Sequence, residues 1–156
     1  MNSCAEFLIN DPRFGEPVWT KSMPRKAIEV SIAMLQPIRD AMVRRGLVVG
    51  EVTGGKPWGS GCDVDSGKSR VSVFFYPVPS LEKSRWEGSI HVISAPPLWR
   101  RLPGLRDRVA EEQAIESVAG ELREVLKDFP SLTDICWMTL QQHCSSRGFR
   151  DRREKA

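Results

Sequence analysis

Histidine is scarce in this chain, with His91 and His143 as its two representatives, and the four cysteines (Cys4, Cys62, Cys136, Cys144) form no CxxC pair. The scarcity of bases excludes most thiol and triad chemistry, because a nucleophilic cysteine needs a base beside it. The scattered cysteines, with no export signal, argue for free thiols rather than a disulfide framework. The opening MNSCAEFLINDPRF has neither a basic n-region nor an apolar run, so it does not read as a signal peptide. No apolar run is long enough to cross a bilayer. A cytoplasmic location without membrane attachment is the expectation. Internal repeats and low-complexity segments are also absent.

What is present is ordinary for a globular protein: 156 residues, 40% hydrophobic and 28% charged, enough for one domain with a real core. The net charge of +3 has one address, since RGFRDRREKA carries Arg147, Arg150, Arg152, Arg153 and Lys155 against Asp151 and Glu154. Residues 1–146 are then neutral and form the expected domain, and 147–156 read as a basic solvating tail.

Three stretches read as strands: 47–53, 69–78 and 85–94. The middle one is the clearest, with Val71, Val73 and Phe75 alternating with Ser72, Phe74 and Tyr76. Pro77 and Pro79 should end it, because proline cannot donate to a ladder. Residues 1–21 read as an irregular arm, with a short helical turn near 3–9. A first helix should begin near Ser22, with Ile28, Ile32, Leu35 and Met42 on one stripe, Ile38 beside it, and a kink or break near Gln36 caused by Pro37. Gly46 closes it.

A second helix should run from Leu105 or Asp107 to Asp128. Its apolar face holds Ile115, Val118, Ala119, Leu122, Val125, Leu126 and Phe129, and glutamates crowd the other face. Residues 131–146 fit either of two states. Ser131 and Asp134 match a capping-box variant, and Leu132, Ile135 and Met138 suit a helical face, whereas DICWMTL also reads as a strand; the helix is favoured. The sum is an α+β fold in two layers. An antiparallel sheet of three or four strands, in meander order, is packed by two long helices in the order α-β-β-β-α, with a C-terminal helix or strand.

The string from Gly61 to Ser69 ends in GKS, yet five residues separate its glycines where a phosphate loop needs four, and a strand follows Lys68 instead of a helix. Asp63 and Asp65 miss the calcium-loop register. The glycine-rich segment 54–69 is read as a long polar loop. Cys62 within it is read as incidental, and an encounter with His91 is geometrically allowed. His143, Cys144 and Cys136 offer three metal-type ligands at a spacing that matches no standard site, so no metal and no cofactor are expected. The favoured binding residues are Trp99, Arg100 and Arg101 in the connector after Ser94, with Lys56 and Trp58 in the glycine-rich loop. An aromatic beside paired arginines can stack on and clamp an anionic or planar partner.

At the level of topology alone, helix–three strands–helix resembles the opening of secretion chaperones, and α-β-β-β-α resembles double-stranded-RNA-binding domains. Those domains place lysines where this chain has Ala110, Glu111, Glu112 and Gln113, so nucleic acid is disfavoured. The expectation is a non-catalytic binding or adaptor protein acting through protein contacts as a homodimer. That dimer would cover a sheet face or part of the first helix that the chain itself leaves bare. The alternatives are an RNA-binding domain and an enzyme using residues 54–69.

Overall fold

The computed structural model describes residues 2–55, 58–67 and 69–145. The basic tail expected over 147–156 therefore lies outside the described residues. The fold is α+β, but its antiparallel sheet has seven strands rather than three or four.

The first correction is at the N-terminus. Ser3–Ile9 is a strand (β1), not an irregular arm. It lies inside the sheet, paired on one side with β6 (Arg85–Ser94) and on the other with β7 (Leu132–Thr139). Ala5, Phe7 and Ile9 point to one face and Cys4 and Glu6 to the other, all buried, as an interior strand requires.

Helix α1 spans Met23–Arg44 and runs unbroken through Pro37. Met34, Leu35 and Ile38 around that proline are fully buried, and this packing holds the helix together where a missing N–H would otherwise break it. Its buried stripe is Val30, Met34, Ile38 and Met42, with Leu35. Ile28 and Ile32, expected at its centre, instead flank it and lean on Gly54.

The expected strand over 47–53 is two short pieces, β2 (Val48–Val49) and β3 (Thr53–Gly55). The glycine-rich segment is no long loop: residues Gly59–Asp65 form β4, which pairs with β2, β3 and β5 (Arg70–Ser80). The simple meander is corrected accordingly, since 47–53 meets β4 and not β5. Glycine here signals close approach. A Cβ at Gly59 would lie 2.6 Å from the Tyr76 ring, and one at Gly61 2.7 Å from Phe74. The two glycines are floors beneath cross-strand aromatics.

β5 also continues through Pro77 and Pro79, which pair with Gly88 and Trp86 of β6. Among the described residues the pairing of β4 with β5 stops at Phe75, so both prolines lie beyond it. Helix α2 (Arg108–Lys127) starts under Asp107, whose carboxylate accepts from the Ala110 N–H at 3.0 Å, and buries the expected face apart from half-buried Phe129.

Residues 132–139 are strand, which overturns the favoured helix. Two residues of β7, Asp134 and Ile135, oppose Phe7 of β1, and the register shifts there. Asp134 adopts φ 53, a left-handed conformation that a short polar side chain tolerates at a bulge. The bulge places Leu132 and Ile135 on the same face, which imitates helical spacing. The capping box lies later, at Thr139 and Gln142, which exchange two hydrogen bonds of 2.9 and 3.1 Å and open the short helix α3 (Leu140–Ser145).

The sheet order is β2-β4-β5-β6-β1-β7, with β3 also on β4. α1 packs over β4 and β5, and α2 over β5, β6 and β1, all on one face. Phe7, Val73, Phe75, Ile90 and Val92 fill that interface with both helices. The α-β-β-β-α order behind the two topological resemblances is therefore not the order of this chain. No helix among the described residues is long and apolar enough to cross a membrane.

Candidate functional site

The opposite face of the sheet carries a different chemistry. Ser72, Phe74 and Tyr76 of β5, Glu87, Ser89 and His91 of β6, and Cys4 and Glu6 of β1 project from it by strand alternation. α3 reaches over its β1–β7 side, anchored where the Leu140 N–H donates to the Asn2 carbonyl at 2.9 Å.

This geometry brings together three side chains that are far apart in sequence. Cys4 and His91 are direct cross-strand partners, and α3 lowers His143 onto them. One ligand atom from each (the Cys4 sulfur and a ring nitrogen of each histidine) lies within 4.8 Å of the others. The two imidazoles meet edge to face at 5.0 Å, and Tyr76 packs against His91 at 4.8 Å. Glu6 Oε1 lies 2.6 Å from His143 Nδ1, and its side chain is only 4% exposed. Ser89 Oγ is 3.1 Å from His91 Nε2. Burial, and then the nearby His143 charge, lower the His91 pKa to about 4, so its ring is neutral at pH 7. The cluster escapes sequence reading because its members come from β1, β6 and α3. The ligand trio weighed from sequence, His143 with Cys136 and Cys144, shares only His143 with it.

The favoured binding residues have separate fates. Lys56 lies outside the described residues. Trp58, half-buried and at φ 53, packs against Trp19 at 5.9 Å, so it belongs to a surface aromatic pair at the β3–β4 turn. Trp99 lies in a one-turn 3₁₀ helix, Leu98–Arg101, with the Arg100 guanidinium 5.0 Å from its ring centroid. The Arg101 side chain donates to the Pro96 carbonyl at 3.4 Å. Leu98 is 78% and Trp99 58% exposed, and Leu102, Leu105 and Val109 are similarly bare.

A shallow cleft of about 300 Å³ lies over the glycine strip, lined by Gly54, Gly59, Gly61, Asp63, Phe74 and Tyr76 among others. Cys62 contributes to its wall, but burial and then the Asp63 charge push the thiol up to about 12, which leaves it protonated and a poor nucleophile. Asp63 is held by the Ser72 hydroxyl at 2.7 Å. Cys4 and Cys62 are buried, Cys136 and Cys144 exposed, and none of the four is in a disulfide.

Comparison with known proteins finds no family model, no curated protein and no solved structure that matches the chain.

Proposed function

We propose that this chain is a non-catalytic binding protein that works through protein–protein contacts, and that its first partner is a second copy of itself. The observation that supports this reading is the concentration of bare apolar surface in one connector. Leu98, Trp99, Leu102, Leu105 and Val109 are all exposed within twelve residues, interleaved with Arg100, Arg101, Arg106 and Arg108. Exposed aromatic and aliphatic residues among arginines have the composition of an interface core, and single soluble chains seldom leave such a patch uncovered.

A second copy offers the complement. The outer face of α2 begins at the end of the connector and carries Glu112, Glu116 and Glu124, all exposed. A two-fold arrangement lays each connector along the acidic helix of the other copy and satisfies both patches at once. The bare surface expected on the sheet is smaller than that of the connector: Phe74, Tyr76 and Ile93 are half-buried.

Light scattering on the full chain at micromolar concentration tests this reading. The expected mass is about twice 17.6 kDa, falling to the monomer value in Leu98→Glu and in Trp99→Ala. A monomer at all concentrations, or a dimer indifferent to both substitutions, overturns it.

A further inference from the structure

We propose that Cys4, His91 and His143 form a zinc-binding site on the face of the sheet opposite α1 and α2, with Glu6 orienting His143. This inference goes beyond the binding reading and does not depend on it, because the connector contributes nothing to the cluster.

Three features converge. The first is the donor set: one thiol and two imidazoles suit a borderline-soft divalent ion, and zinc accepts sulfur and nitrogen together. The second is placement. Cys4 is fully buried and fixed on an interior strand directly opposite His91. That pairing holds the sulfur beside the His91 ring. The third is the carboxylate behind the histidine. Glu6 engages Nδ1 of His143 at 2.6 Å and thereby assigns Nε2 to the metal, the usual carboxylate–histidine–zinc relay.

Zinc bonds of about 2.0–2.1 Å to nitrogen and about 2.3 Å to sulfur put tetrahedral ligand pairs roughly 3.3–3.7 Å apart. With every pair within 4.8 Å, binding draws the ligand atoms together by at most about 1.5 Å. α3, which carries His143, is six residues long and docks on β1 and β7. Binding expels the Cys4 thiol proton to solvent as the sulfur–zinc bond forms. Water completes the fourth position. His143, with 20% of its side chain exposed, marks the route of entry.

Cobalt(II), the spectroscopic substitute for zinc, supplies the test. Titration of the metal-free full chain should give one bound ion, with a thiolate-to-cobalt charge-transfer band and the intense visible bands of a tetrahedral centre, all displaced by zinc. Cys4→Ser should lose the charge-transfer band and His143→Gln should lose the site. Glu6→Gln should weaken binding about 10–100-fold. The Cys136→Ser, Cys144→Ser double variant should keep the full spectrum, which separates this cluster from the two exposed thiols. His143 lies on the short helix α3 and outside the core, so His143→Gln decides the matter even where Cys4→Ser folds poorly. Absence of cobalt or zinc binding by the native chain overturns the proposal. So does a charge-transfer band that survives in both Cys4→Ser and His143→Gln, or one that vanishes in the Cys136, Cys144 double variant.

Discussion

The two faces of the sheet are built from the same strands and could hardly differ more. Toward the helices, β1, β5 and β6 present Ala5, Phe7, Val71, Val73, Phe75, Ile90 and Val92, all at zero exposure. Away from them, the intervening residues are Cys4, Glu6, Ser72, Phe74, Tyr76, Ser89 and His91. Strand alternation makes this partition possible, since each backbone position serves one face only. The helix-covered face holds the apolar core, and the other carries polar groups, of which Glu6, Ser72 and Ser89 are themselves buried. Ile90 and His91 are adjacent in sequence and stand on opposite sides of this division.

The largest expected effect comes from breaking the covered face. Phe75 is fully buried, with its ring 5.2 Å from that of Phe7. Phe75→Ala should cost about 3–5 kcal/mol in denaturant unfolding. Phe74→Ala, one residue along and half-buried on the other face, should cost less than about 2 kcal/mol. Equal losses would erase the distinction.

A smaller effect sharpens the face opposite α1 and α2. A methyl at Gly61 would meet the Phe74 ring at 2.7 Å, so Gly61→Ala should destabilise by about 1–3 kcal/mol. Because the obstacle is a side chain, Phe74→Ala in the same chain should recover part of the loss. Additive costs in that double-mutant cycle would show that the glycine serves the backbone and not the aromatic ring.

Those glycines also show why the sequence was only partly legible. Long helices and the strands around Val73 and Ile90 declare themselves by period. Gly59 and Gly61 carry the composition of a loop, although their role is contact with rings on a neighbouring strand that no local pattern reveals. In β7 the bulge at Asp134 shifts the alternation by one residue, so Leu132 and Ile135 acquire a helix-like spacing. β1 is short and followed by Pro12 and Gly15, and its interior position depends on β6 and β7, both far along the chain. The Cys4–His91–His143 cluster is less visible still, since its spacing is set by sheet register and by the docking of α3. The connector, by contrast, is local. Its Trp99–Arg100 contact joins neighbours in sequence, so the residues pointed to it directly.

The smallest effect at neutral pH is electrostatic. Burial raises Cys62 from an ordinary 9.0 to about 12, so the folded protein holds this proton more tightly than the unfolded chain does. The contribution is complete below pH 9 and is lost as the pH rises toward 12. Unfolding free energy should therefore fall with pH across that window, and less steeply in Cys62→Ala. Identical slopes in the two proteins would mean that the thiol is not sheltered as its burial implies.

The division of labour between the faces is tested most directly on the neighbouring pair Ile90 and His91, by thermal unfolding with chelator and with zinc. Ile90→Val should lower the midpoint in both conditions, a cost of about 0.5–1.5 kcal/mol, and keep the full zinc-induced rise of the native protein. His91→Gln should lose most of that rise while its midpoint in chelator stays close to native. If zinc leaves the native midpoint unchanged, or if the two substitutions respond to zinc alike, the face opposite α1 and α2 is not the seat of chemistry described here.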